Sequence, residues 1–202
     1  GSFSVLDMAR TFQALKLKPA RTIEFVLFMG EEEGLLGSKA YVQAAIKDKS
    51  IEDIRYMFNY DMTNDPKGFS TSSEDSRALF QSIGAIANKI DTNFKNSLSV
   101  GAGLHSDHQP FMLQGIPTGG GAGGGLPNGA GPCYHADCDG FNLVDEKGMK
   151  NTVRFGTMLL YGVADAYEIK SKHLTDQETK QFLTDRNLKE ALQIAGEWRW
   201  KD

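Results

Sequence analysis

This 202-residue chain has no long apolar run, no basic cluster and few cysteines. No stretch approaches the roughly 18 consecutive apolar residues of a membrane-spanning helix, so no span and no membrane partner are expected. Lysine and arginine number 22 against 26 aspartates and glutamates, a net charge of −4. No basic run offsets that balance, and nucleic acid is not an expected partner. Only two cysteines occur, Cys133 and Cys138, with four residues between them. Zinc ribbons and fingers need four ligands at paired spacings, which these two cannot supply. Two thiols that near either close a small disulfide loop in an oxidising compartment or stay reduced. The sequence opens on Gly1-Ser2 and a helical pattern, without an initiator Met or a signal peptide, so a processed or truncated chain is expected. With 40% hydrophobic and 24% charged residues, the composition is globular and excludes a disordered tail, a collagen and a coiled coil.

What is present alternates between helical and strand patterns. Phe3, Leu6, Met8, Ala9, Phe12 and Leu15 recur near a 3.6 period, which predicts a helix over 3–17 stopped by Pro19. Ile23 to Met29 is a nearly continuous apolar run, as in a strand buried on both faces. A helix is predicted over 37–48, a second buried strand over 55–62, and a helix from Ser73 to about Ile90. Eleven of the 22 glycines fall in residues 101–131, where 107–114 predicts one or two helical turns and Ile116-Pro117-Thr118 a short strand. A long helix is predicted over 147–169. Thr175-Asp176-Gln177-Glu178 reads as a capping box opening a final helix to about Ile194. This alternation predicts an α/β fold, and in such folds sites gather beyond the carboxyl ends of the strands.

Four segments carry chemistry. Glu31-Glu32-Glu33 follows the first predicted strand, with Gly34 and Gly37 flanking Leu35-Leu36. Adjacent carboxylates there can divide the roles of metal ligand and general base, the plainer reading being a solvated turn. Asp61 ends the second predicted strand, where an unpartnered carboxylate is costly; it reads as a ligand or as a cap for the turn that follows. Leu104 to Phe111 holds His105, Asp107 and His108, metal ligands or a hydrogen-bonded loop. Tyr134-His135 is followed by Asp139, a carboxylate able to orient the imidazole. His173 reads as a surface residue. Glu, Asp and His together suit zinc or a similar divalent ion. The glycine-rich stretch lacks a phosphate-cradling G-x-x-x-x-G-K-[ST] motif, and no G-x-S-x-G elbow is present.

Taken in order, these segments resemble the zinc-dependent aminopeptidase and glutamate carboxypeptidase family of co-catalytic metallo-exopeptidases. The matching residues are Glu31-Glu32-Glu33-Gly34-Leu35-Leu36-Gly37-Ser38, Asp61, Ser106-Asp107-His108-Gln109-Pro110-Phe111 with Gly115-Ile116-Pro117, and Tyr134-His135 with Asp139. The resemblance covers residues 1 to about 169. It implies a three-layer α/β/α domain with a mixed, mostly parallel sheet, incomplete at its N-terminus. The tail, residues 170–202, falls outside the resemblance and reads as a helical extension packed on the domain or a partner, with Trp198 and Trp200 as anchors. The resemblance implies Glu31 as general base, Glu32 and His135 as ligands of one zinc, and Asp61 as a ligand of the other. Tyr134 would hydrogen-bond the scissile carbonyl oxygen, Asp107 and His108 would support the pocket, and Asp139 would orient His135.

The family also uses an upstream His and a bridging Asp, and neither has a counterpart here. The chain is therefore expected to be the C-terminal part of a catalytic domain that acts on peptides, itself binding zinc weakly, with little or no peptidase activity. It is also expected to self-associate through the truncated sheet edge. Exopeptidases of this type are often exported, which favours a secreted or periplasmic protein, with Cys133 and Cys138 bridged or else reduced and buried. The alternatives are a non-catalytic binding domain of the same fold, or an amide-processing relative such as a glutaminyl cyclase.

Overall fold

The structure is a computed structural model and describes residues 1–127 and 129–201. The glycine-rich stretch and the C-terminal tail each contain one residue outside that set, Asn128 and Asp202. Among the described residues, β1 (Met57–Phe58), β2 (Gly68–Thr71), β3 (Ser97–Val100) and β4 (Thr118–Ala122) form one sheet. The strand order is β1-β4-β2-β3. β1 runs parallel to β4 with Met57 opposite Thr118, and β2 parallel to β3. β2 is antiparallel to β4, with Thr71 opposite Gly119, so the sheet is mixed.

The helices are α1 (Ser2–Ala14), α2 (Leu36–Asp48), α3 (Arg77–Ile90), α4 (Gln109–Met112), α5 (Glu146–Ala164), α6 (Asp176–Asp185) and α7 (Lys189–Ile194). Strand β1 shows how the layers divide, because successive strand side chains point to opposite faces. Met57 joins the cluster of Val42, Ala45, Ile51, Phe111 and Ile116, on the side of α2 and α4. Phe58 stacks on Tyr56 and packs with Phe80 of α3, on the side that α5 also covers. There Phe69, Phe80, Phe94 and Phe155 are at most 1% exposed. The fold is thus α/β with helices on both faces of a mixed sheet.

Three departures from the sequence reading have physical causes. The apolar run at 23–29 joins no ladder: no main-chain hydrogen bond is made by residues 22–28 among the described residues, and its side chains are only half-buried or exposed. Of the strand predicted over 55–62, only Met57 and Phe58 are paired. Strands β2 and β3 had no alternating apolar signal, and β4 is built on Gly119-Gly120-Gly121, residues of low strand propensity. Contact requires that choice in β4: a Cβ at Gly119 would stand 2.5 Å from the Ser70 carbonyl oxygen, and one at Gly120 2.6 Å from that of Asn59.

The C-terminal segment folds as two helices where one was expected. Asn187 takes a left-handed conformation (φ 58°), and the Leu188 N–H bonds the Leu183 carbonyl, a capping turn that ends α6. The capping box at Thr175 and Glu178 is present. Leu183 and Leu192 are buried against Met112 and Leu113, with Trp198 and Trp200 beside them. His173 is half-buried, its Nε2 donating to the Gln114 carbonyl at 2.6 Å, and is not the plain surface residue expected.

Two predictions follow from these contacts. Phe80→Ala should lower stability by about 3–5 kcal/mol in urea unfolding, the range for emptying a fully buried aromatic site. The Glu178 carboxyl is held down to about 2 by hydrogen bonds from Lys172 and then Thr175. A carboxyl depressed by folding contributes stability above its unfolded value, lost as pH falls toward the folded one. Thermal unfolding between about pH 5 and pH 2 should therefore be less pH-dependent in Glu178→Gln.

Candidate active site

Residues 30–37 form a tight turn between the unpaired segment and α2. The Gly34 and Leu35 N–H groups both bond the Glu31 carbonyl, and Gly37 N–H bonds that of Met29 at 2.8 Å. Gly37 permits this closure, because a Cβ there would lie 2.6 Å from the Met29 oxygen. Gly34 serves differently: it meets no neighbour but adopts φ +99°, which other residues avoid. The turn leaves Glu32 exposed and Glu31 partly covered.

Asp61 follows β1 by three residues. Its Oδ2 accepts from Ser106 Oγ at 2.8 Å, and Ser106 Oγ accepts from Asn59 Nδ2 at 2.7 Å. Asn59 Nδ2 also lies 3.4 Å from His108 Nδ1, while His108 Nε2 faces the Gly103 carbonyl at 3.1 Å. A carbonyl only accepts, so the proton sits on Nε2 and Nδ1 is the acceptor. Burial pushes the His108 proton affinity down, against the Gly103 carbonyl and the charges of Asp61 and Asp107.

Tyr134 and His135 come after a short 3-10 turn at Gly131–Cys133. The Cys133–Cys138 disulfide closes the loop that carries them. Tyr134 stacks on the His135 ring at 4.0 Å, and His135 Nε2 lies 3.3 Å from Glu32 Oε1. Asp139 is exposed, and among the described residues its side chain makes no hydrogen bond to His135.

Electrostatics tie these segments together. The Glu31 carboxyl is pushed up by partial burial first, then by the charges of Asp61, Glu32 and Asp107, with His135 opposing. Four carboxylates thus share one region with the imidazoles of His135 and His108. One Asp107 oxygen is buried without a partner. Sequence reasoning missed Asn59 and passed over Ser106 as a site residue. Asn59 had a readable signal: two residues before Asp61 on an extended segment, it projects to the same side.

The donors have the chemistry of a zinc site. Two ligands of a tetrahedral zinc, each about 2.0–2.1 Å from the ion, stand about 3.3 Å apart, the spacing of Glu32 and His135. A catalytic zinc takes three protein ligands. No three His, Cys, Asp or Glu side chains among the described residues converge closely enough to hold an ion. The pair fits as part of a site and not as a complete one.

Residues 1–159 match the family described as Peptidase family M28. The chain is 30% identical over 175 residues to leupeptin-inactivating enzyme 1 of Streptomyces exfoliatus, covering 72% of this chain and 36% of that protein. It is 35% identical over 125 residues to aminopeptidase YwaD of Bacillus subtilis, covering 58% of this chain and 26% of the relative. The chain therefore spans about a third or less of these curated relatives. Among solved structures, an aminopeptidase from Aneurinibacillus sp. strain AM-1 superposes with TM-score 0.61 and 25% identity, over 85% of this chain and 40% of that one. BSAP, a zinc aminopeptidase from Bacillus subtilis, gives TM-score 0.62 and 26% identity, over 86% and 43%. On a family match that spans more than three quarters of its length, this chain belongs to peptidase family M28.

Proposed function

We propose that this chain carries part of the active site of a zinc-dependent exopeptidase of the aminopeptidase type. The observation that supports it most is the joining of Glu32 to His135 at 3.3 Å, with Glu31 beside them and Asp61 in electrostatic reach. Glu32 and His135 would hold one zinc and Asp61 would face a second. The chemistry such ions supply is polarisation of a peptide carbonyl and acidification of water.

The chain's own groups take the remaining roles. Glu31 accepts a proton from the attacking water and returns it to the leaving amine; its raised proton affinity makes it a better acceptor once ionised. Tyr134 donates to the oxygen of the scissile carbonyl as charge develops there, and its ring buttresses His135 by stacking. Ser106, itself held by the Asn59 amide, donates to one Asp61 oxygen and fixes how that carboxylate is presented. Asp107 and His108 border the pocket, and Asp139 lies on the His135 loop. The substrate is the terminal peptide bond of a peptide, and the bonded cysteine pair suits an exported protein.

A second reading, a non-catalytic binding domain of the same fold, is favoured by one observation: no three ligands converge among the described residues. Zinc titration separates the two. Weak zinc binding is expected by calorimetry, weakened at least about tenfold further in Glu32→Gln and His135→Ala. Affinity unchanged by both substitutions would sink the assignment of this pair. Turnover of leucyl-4-nitroanilide at saturating zinc is expected to be low. What turnover there is should fall about 100-fold or more in Glu31→Gln, the usual contribution of a general base. Equal rates in the two proteins would refute the role of Glu31.

A further inference from the structure

Beyond residues 1–159, one carboxylate reaches back toward the acidic site. Helix α7 ends at Gly196, which takes a left-handed conformation (φ 71°). The Gly196 N–H bonds the Gln193 carbonyl and the Glu197 N–H bonds that of Leu192 at 2.8 Å, the two bonds of a Schellman turn. Leu192 is fully buried against Met112 and Leu113, which holds the turn on α4. Glu197 therefore leaves the C-terminal segment at a fixed place, between α2 and α4. Its Oε1 pairs with Lys39 Nζ at 2.8 Å, and its Oε2 accepts from Gln109 Nε2 at 2.7 Å.

Gln109 passes that constraint on. It is buried, so both ends of its amide need partners. A carboxylate only accepts, which turns the amide NH2 toward Glu197 and leaves Oε1 for the His105 N–H at 2.8 Å. The reverse orientation would set two acceptors face to face at Glu197 and two donors at His105. His105 has a left-handed backbone (φ 68°), uncommon for a residue with a Cβ, and this bond holds its N–H. Ser106, the next residue, is gripped from both sides, because its carbonyl accepts from the Gln109 main-chain N–H at 2.9 Å. Its hydroxyl then donates to Asp61 Oδ2 at 2.8 Å. A contiguous network thus runs from Glu197 to Asp61.

We propose that Glu197 is a positioning residue: by fixing the Gln109 amide it sets the backbone at His105 and Ser106, and through the Ser106 hydroxyl the orientation of the Asp61 carboxylate. Glu197 touches neither substrate nor reacting atoms. Lys39 holds its second oxygen, so the carboxylate is anchored from α2 as well as from α4. Groups that orient a ligand through hydrogen bonds tune metal affinity and activity nearly as strongly as the ligands do. The inference rests on the proposed reading of Asp61 as a zinc ligand. It adds to that site a residue from the C-terminal segment, outside the part of the chain that the family match spans.

The test begins with metal-free protein at one fixed pH. In Glu197→Ala the His105 amide should exchange about tenfold faster or more, the loss expected for one hydrogen bond. The Asp61 carboxyl carbon resonance should move toward its position in Ser106→Ala. Glu197→Gln keeps an oxygen for Gln109 and should restore both readouts. Gln109→Met, close in volume, should reproduce the changes of Glu197→Ala, and it carries the test where Glu197→Ala does not fold. With zinc present, the kcat for leucyl-4-nitroanilide should fall about tenfold in Glu197→Ala at unchanged KM, and recover in Glu197→Gln. Exchange that quickens evenly along α4 and α7 while the Asp61 resonance stays put would overturn the proposal and leave Glu197 a packing residue. An unmoved His105 amide, or no recovery in Glu197→Gln, would overturn it too. The exchange and resonance readouts need neither zinc nor turnover, so their failure sinks this inference alone, whereas the zinc titration of Glu32→Gln and His135→Ala judges the hydrolase reading.

Discussion

Hydrogen-bonding demand along β1 organises much of this molecule. Its two paired residues lock onto β4, and β4 in turn carries the antiparallel β2 and, beyond it, β3. The same short strand delivers Asn59 and Asp61 to the acidic region and turns Phe58 into the aromatic core. Beyond its opposite edge, residues 22–28 make no main-chain hydrogen bond among the described residues. Backbone groups buried without partners are costly, so the half-exposure of the 22–28 segment is the physical consequence of that unpaired edge.

At the site, charge does the organising. Asp61, Glu32 and Asp107 all act on Glu31, and His135 opposes them. Partial burial first, and then that excess of carboxylates, raises the proton affinity of Glu31. The same excess makes the region a place for cations. The disulfide and the stacked Tyr134 bring the imidazole to that region from a loop otherwise exposed to solvent. The site is thus assembled from a turn, a strand end and a closed loop, each fixed by a separate local device.

Those local devices differ in how visible they are in sequence. The turn at 30–37 is legible because glycine at Gly34 and Gly37 answers to conformation and contact, and the capping box at Thr175 because its hydrogen bonds are local. Helices α1, α3 and α5 are legible from their apolar stripes. Strand β4 is not, because Gly119 and Gly120 answer to neighbours from β2 and β1 that no local pattern records. Ser106 is hidden for the same reason: its value lies in reaching Asp61 from 45 residues away.

By itself the sequence determined the helical stripes, the alternation that makes an α/β fold, and the types of side chain available for chemistry. These follow from short-range periodicity and residue chemistry, which need no neighbours. Only the tertiary structure decided that the apolar run at 23–29 joins no strand ladder among the described residues, that Glu32 meets His135 across more than 100 residues, and that no third ligand converges with them among those residues. Pairing and convergence depend on which segments lie side by side, and that is a property of the packed chain and not of any stretch within it.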